Sequence, residues 1–203
     1  MLKDAIYRCW SFWKHWLTAW NTGGEGIHSP YLFYFVRMLM CDQNAYYCWH
    51  EIEQRRYAML HAPKMIHVDD YGVGQGQKAE RPVMDIAKNS LERPKVAQLM
   101  FRWLRYMGEN KNGLQVVELG TSLGITTAYL ASAHSLNQVL TFEGSGEILA
   151  MAKMNFEKLG LSNIKTIEGN IDLTLENTLY NRARVVPNYK IDMAFMDANH
   201  TYE

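Results

Sequence analysis

The sequence predicts an α/β protein, a parallel sheet of about four strands preceded by a helical appendage. Two observations predict it. Short β-prone runs at 116–119, 138–142, 164–167 and 191–196 alternate with longer segments of helical periodicity, and each run ends in polar residues. That alternation is the mark of strand–helix–strand units and a parallel sheet. The first ninety residues lack it and carry aromatic residues at helical spacing instead.

From the N-terminus, Ile6, Trp10, Trp13, Leu17 and Trp20 alternate spacings of four and three, which gives one apolar helix face ended by Asn21-Thr22-Gly23-Gly24. Three readings stay open for that face: packing on its own domain, a dimer contact, or a helix lying in a membrane interface with Lys3, Arg8 and Lys14 as its basic residues. A second helix begins at Ser29-Pro30, where serine caps and proline takes the first position, and runs through Tyr31, Phe33, Phe35 and Leu39. A third spans about 43–60, with Glu51, Glu53, Gln54, Arg55 and Arg56 as a solvated face. Asp70-Tyr71-Gly72-Val73-Gly74-Gln75-Gly76 has three alternating glycines, but 65–68 is short and 77–82 shows no apolar helix face. It reads as a loop, either a lid over the ligand or a plain linker. From Pro94 a helix with Val96, Met100, Trp103 and Met107 on one face leads to the first strand, so the expected division is an appendage at 1–92 and a sheet domain at 93–203.

Val116-Val117-Glu118-Leu119-Gly120-Thr121-Ser122-Leu123-Gly124 is a strand entering a turn and then a helix. Gly120 permits the tight turn, and Gly124 permits a close helix start. Glu118 argues against a pyrophosphate and for a cationic ligand, and S-adenosylmethionine, with a sulfonium, an ammonium and no phosphate, fits. The next strand ends in Glu143, about twenty residues beyond the turn, where an acid accepts ribose hydroxyls. Ser145 offers an N-cap, Ile148, Ala152, Phe156 and Leu159 follow at helical spacing, and Gly160 stops the helix. Glu168-Gly169-Asn170 closes the third strand near the adenine edge. The fourth delivers Asp197-Ala198-Asn199-His200-Thr201-Tyr202 at its carboxyl end, where ligands of open parallel sheets bind. Asp192, at its start, is structural.

These segments resemble the class I S-adenosylmethionine-dependent methyltransferases, a Rossmann-like fold, and within them the catechol-type O-methyltransferase branch. The resemblance rests on Glu118 to Gly124, Glu143 and Asp192-Met193-Ala194-Phe195-Met196-Asp197, with weaker echoes at Gly26-Ile27-His28-Ser29-Pro30-Tyr31 and Asp70-Tyr71-Gly72. It implies cofactor contacts at Glu118, Gly120, Thr121, Ser122 and Gly124, ribose recognition by Glu143, and adenine contacts around Gly169, Asn170 and Ile171. It also implies a small-molecule hydroxyl as methyl acceptor and a divalent metal such as Mg2+ at Asp197. His200 is the candidate general base or second ligand, against the plainer reading of a histidine bonding loop backbone. His28 and Tyr71 are weaker candidates for the substrate side. Ser122 departs from the middle glycine of many members, and Ala198 from a signature glycine. The family's sheet continues where this sequence stops, so the expectation is a fragment of a longer protein, or a homodimer formed through the open edge or the tryptophan-rich helix.

Lys plus Arg and Asp plus Glu each number 21, so no net field favours DNA or an anionic surface. Cys9, Cys41 and Cys48 show no metal-ligand spacing and are expected to be reduced and buried. No apolar run reaches the roughly 18 residues of a membrane span, no signal peptide stands out, and the cytoplasm is the expected location. Protein or RNA methylation, a non-catalytic interaction protein and, more distantly, a nicotinamide-dependent oxidoreductase remain the alternatives.

Overall fold

The computed structural model describes residues 2–18, 26–70 and 77–198. The chain divides into two compact units, Met1–Asn44 and Ala45–Glu203. In the first, α1 is Leu2–Thr18 and α2 is Pro30–Tyr34. Helix α2 starts as its sequence dictates: the Ser29 side chain accepts from the Leu32 N–H at 3.4 Å, and Pro30 occupies the first turn. It widens into a π-type turn, Phe35–Met40, closed by the Cys41 N–H on the Val36 carbonyl.

The second unit opens with α3 (Tyr47–Leu60), an antiparallel hairpin of β1 (Met65–Asp70) and β2 (Gln77–Pro82), α4 (Val83–Ser90) and α5 (Pro94–Gly108). The strands β3 (Gln115–Leu119), β4 (Gln138–Glu143), β5 (Ile164–Glu168) and β6 (Met193–Met196) follow, separated by α6 (Ile125–Ser132), α7 (Gly146–Lys158) and α8 (Ile171–Val185). All pairings among these four strands are parallel, and their order is β5-β4-β3-β6. This is the α/β, Rossmann-like sheet expected from the alternating runs.

Strand β3 is central, and its side chains alternate between two cores. Val116 lies in a cluster with Ala97, Phe101 and Leu104 of α5 and Ala128 and Tyr129 of α6. Val117 faces the other way, with Leu140 and Phe142, onto Ile171, Leu175 and Leu179 of α8. The chain leaves β3 toward β4 and β5 and returns to β6 on its other side, so α8 covers the face opposite α6. Among the described strands β6 lies at one end of the order. Asp192 is structural: one carboxylate oxygen accepts from the Gln115 N–H at 2.9 Å and the other from Lys111 Nζ at 2.6 Å. Partial burial raises its pKa, but these donors outweigh that and hold it below the ordinary carboxylate value.

Several expectations change. The compact units meet at 44/45, and Cys48 and Ile52 of α3 share a core with α5 and α6. Ile66 and Val68 of β1 likewise pack with Val83, Ile86 and Ala87 of α4, Leu123, and Ile148 and Met151 of α7. The supposedly solvated face of α3 is partly internal: Arg56 is buried, donating to Glu53 and to the Glu92 carbonyl, and Arg55 donates to Asn155. The inward face of α5 is Ala97, Met100, Phe101 and Leu104, while Val96 is exposed. Ser145 precedes α7 but makes no side-chain cap; its hydroxyl donates to the His67 carbonyl instead. Of the cysteines only Cys48 is buried, and none of the three forms a disulfide. The glycine-rich segment 71–76 lies outside the described residues.

Gly124 has φ +78°, and a Cβ there would stand 2.5 Å from Phe156 Cε1 and 2.9 Å from the Ala152 Cβ. Gly160 has φ +65° with nothing within 4 Å. Gly124→Ala should therefore cost roughly 3 kcal/mol, left-handed strain plus overpacking, and Gly160→Ala only about 1 kcal/mol. Urea unfolding of both variants checks the difference.

Candidate functional site

The strand order reverses direction at β3, so a crevice opens beyond the carboxyl ends of β3 and β6. Four connections converge on this end of the sheet: the turn 120–124, the turn 144–146, Gly169-Asn170, and Asp197-Ala198.

Glu118 is fully buried at the end of β3. Its Oε2 accepts from Thr127 of α6 at 2.5 Å and from Thr141 of β4 at 2.6 Å. Thr121 lies 2.6 Å from Thr141, so three hydroxyls converge toward one carboxyl oxygen. The other oxygen, Oε1, has no hydrogen-bond partner among the described residues. Burial pushes the Glu118 pKa up to about 7; the two threonine bonds oppose the shift, and the charges of Asp197 and Glu143 add to it.

Glu143 ends β4. Its Oε2 accepts from the Ser122 N–H at 2.8 Å, and its Oε1 from the Ser145 N–H at 3.0 Å. Burial raises its pKa, opposed by the N–H groups of Ser145, Ser122 and Gly144. Ser122 is held at φ +48°, a conformation uncommon outside glycine. Its hydroxyl meets that of Ser90, at the end of α4, at 2.7 Å.

The turn spends its own donors. Gly120 and Thr121 both donate to the Phe142 carbonyl, Ser122 donates to Glu143, and Gly124 donates to the Thr121 carbonyl. A phosphate-cradling loop instead aims such N–H groups at the ligand. The glycines serve packing: a Cβ on Gly120 would lie 2.6 Å from the Asp197 carbonyl oxygen, and Gly124 sits against Phe156.

The remaining expected residues divide. Asp197 is at the carboxyl end of β6, exposed, with its N–H on the Leu119 carbonyl at 2.9 Å. Gly169 donates to the Glu143 carbonyl, which brings the ends of β4 and β5 together. Asn170 uses its side chain to cap α8, accepting from the Asp172 N–H, and Ile171 packs into the core beneath that helix. His200 lies outside the described residues, as does Tyr71. For a metal, the described residues supply one carboxylate, Asp197, and no group of three or more His, Cys, Asp or Glu side chains able to hold an ion. The donor set among the described residues therefore does not fit a divalent ion, and no chemistry is routed through one.

Beside the Glu143 turn lies a cavity of about 640 Å³ lined by His67, Asp69, Gly144, Gly146, Glu147, Glu168 and Gly169. It adjoins the end of the site expected to take the nucleoside and does not reach Asp197. Its outer wall is β1, which the sequence reading passed over. The signal was present as alternation: Ile66 and Val68 point into the core, and His67 and Asp69 point the other way. Thr127, Thr141 and Ser90 were also missed, because their roles depend on partners 9 to 32 positions away.

No protein-family model and no curated protein sequence matches the chain. Among solved structures it is similar to the O-methyltransferase TomG from Streptomyces achromogenes, involved in tomaymycin synthesis and bound to SAM, at 19% identity over 55% of this chain and 47% of that one, TM-score 0.46. It is similar to an O-methyltransferase from Bacillus cereus in complex with SAH, at 18% identity over 77% and 56%, TM-score 0.49. A third, a putative O-methyltransferase from Klebsiella pneumoniae, has 14% identity over 79% and 57%, TM-score 0.48. The chain spans about half the length of these proteins.

The folded-state pKa of Glu118, about 7, exceeds its ordinary value of 4.5. The native state therefore holds a proton that the unfolded chain releases, and its stabilising effect, complete below the unfolded pKa, is lost as pH rises through 7. The expected loss between about pH 4.5 and pH 8 is on the order of 3 kcal/mol. Glu118→Gln should flatten that slope in denaturant titrations across the range.

Proposed function

We propose that the chain binds S-adenosylmethionine at the carboxyl ends of β3 and β4 and transfers its methyl group to the hydroxyl of a small molecule. One observation carries the reading: the turn 120–124 directs its N–H groups onto protein acceptors, while two carboxylates, Glu118 and Glu143, stand beneath it. With four of its five N–H groups engaged, such a turn is a poor cradle for a pyrophosphate and favours a cationic, phosphate-free nucleoside. The orphaned Oε1 of Glu118 fits a positive group in the crevice.

In this reading Glu143, locked by three backbone donors, retains acceptor capacity for ribose hydroxyls. The cavity beside Gly144 and Gly169 takes the base. Glu118 and Asp197 supply the negative field that holds the sulfonium and the ammonium, and the bound donor supplies an already activated leaving group. The protein then has to align the acceptor and exclude water. Asp197, exposed at the end of β6, orients the acceptor hydroxyl and takes its proton, with His200 three positions on as the alternative base.

Calorimetric titration should show S-adenosylmethionine binding and none of a nicotinamide dinucleotide. Glu143→Ala should weaken the donor at least thirtyfold, about 2 kcal/mol for hydrogen bonds to a charged group. Asp197→Asn should lower methyl transfer to hydroxylated aromatic acceptors by a far larger factor than it weakens the donor. Preference for the dinucleotide would reverse the assignment.

A further inference from the structure

The strongest feature outside the crevice is α1. Taken at the helical repeat, Ile6, Cys9, Trp10, Phe12, Trp13, Trp16 and Leu17 fall on one half of the cylinder, and Tyr7, Arg8, Ser11, Lys14 and His15 on the other. The apolar half is open: Ile6 is 60% exposed, Trp10 69%, Trp13 55%, Trp16 63% and Leu17 65%. Isolated exposed apolar residues are ordinary, but a continuous aromatic stripe on one helix marks an interaction surface. Two edge-to-face contacts within the stripe, Phe12 with Trp13 and Trp13 with Trp16, hold the rings as a layer.

Charge decides what covers it. The helix carries three basic residues, Lys3, Arg8 and Lys14, against one acid, Asp4. Arg8 and Lys14 border the apolar half on opposite sides, where long cationic side chains reach a headgroup layer while the rings enter beneath it. In a pairing of two copies of α1 the same residues would place like charges along both margins of the seam, without the alternating signs that pair helices use. Trp10, Trp13 and Trp16 also suit an interface with one wet and one apolar side better than a tightly interdigitated seam. At 17 residues the helix is roughly 26 Å long. No helix among the described residues is long and apolar enough to cross a membrane, and a parallel orientation in the interface requires no such length.

We infer that α1 is a membrane-surface helix that seats its tryptophan face in an anionic phospholipid bilayer. Binding is independent of the methyl-transfer reading. The test is co-sedimentation of the full chain with vesicles of phosphatidylcholine alone and of phosphatidylcholine with phosphatidylglycerol, with tryptophan emission recorded in parallel. The anionic vesicles should bind the protein and shift its emission to the blue, neutral vesicles should bind it at least tenfold more weakly, and added salt should reduce the difference. Trp13→Ala with Trp16→Ala should abolish binding and leave the main thermal transition in place. Arg8→Glu, which keeps the apolar face, should weaken binding about fivefold or more. No sedimentation with either vesicle, equal binding to both, or binding that survives the double tryptophan substitution overturns the inference. So does a concentration-dependent dimer that the same substitution dissociates while vesicles have no effect, because that result assigns the face to a second copy.

Discussion

A carboxyl group buried at the end of the central strand is the constraint around which the site is built. Glu118 reaches no solvent, yet it ends β3, where β4, β6 and the start of α6 all approach. Burying a carboxylate is costly unless it is hydrogen-bonded, and the fold supplies Thr127 from α6 and Thr141 from β4 for one oxygen only. The half-satisfied state leaves the group near neutrality and sensitive to any positive charge placed in the crevice.

The surrounding backbone follows from that arrangement. Glu143 takes the Ser122 N–H, the Phe142 carbonyl takes those of Gly120 and Thr121, and the turn becomes a rigid element without an anion-binding nest. Ser90 ties the same turn to α4, so the hairpin and its helix belong to the site's support as well as to its outer wall. The two glycines that first suggest a ligand loop are required by strand and helix contacts at Asp197 and Phe156. In the proposed reading the turn selects its ligand through the direction of its donors together with the acids below it.

The sheet was legible because parallel strands buried on both faces leave continuous apolar runs. Gln138–Glu143 and Ile164–Glu168 fall where the β-prone runs lie, and Gly160 ends α7 at positive φ. The hairpin was not legible, since only Ile66 and Val68 face a core while β2 carries Lys78, Glu80 and Arg81. Helix α8 was implied by the alternation but its inward face was not legible, because it has no fully buried residue and packs through Ile171, Leu175 and Leu179. The packing of α3 on α5 was hidden for a similar reason: Cys48 and Ile52 find their partners some fifty residues later, at Ala97 and Phe101, and no local pattern reports that. At the site, Glu118, Glu143 and Asp197 were legible as strand-end acids. The threonines that receive Glu118 were not, because a hydroxyl inside a helix or strand carries no local signature.

The central claim is that a positive ligand draws the proton off Glu118. Its most direct measurement is the heat of S-adenosylmethionine binding at about pH 6.5 in buffers of different ionisation enthalpy, which counts the protons released. The account predicts fractional proton release from the native chain and none from Glu118→Gln. Binding without proton release, or equal release from both proteins, would contradict it.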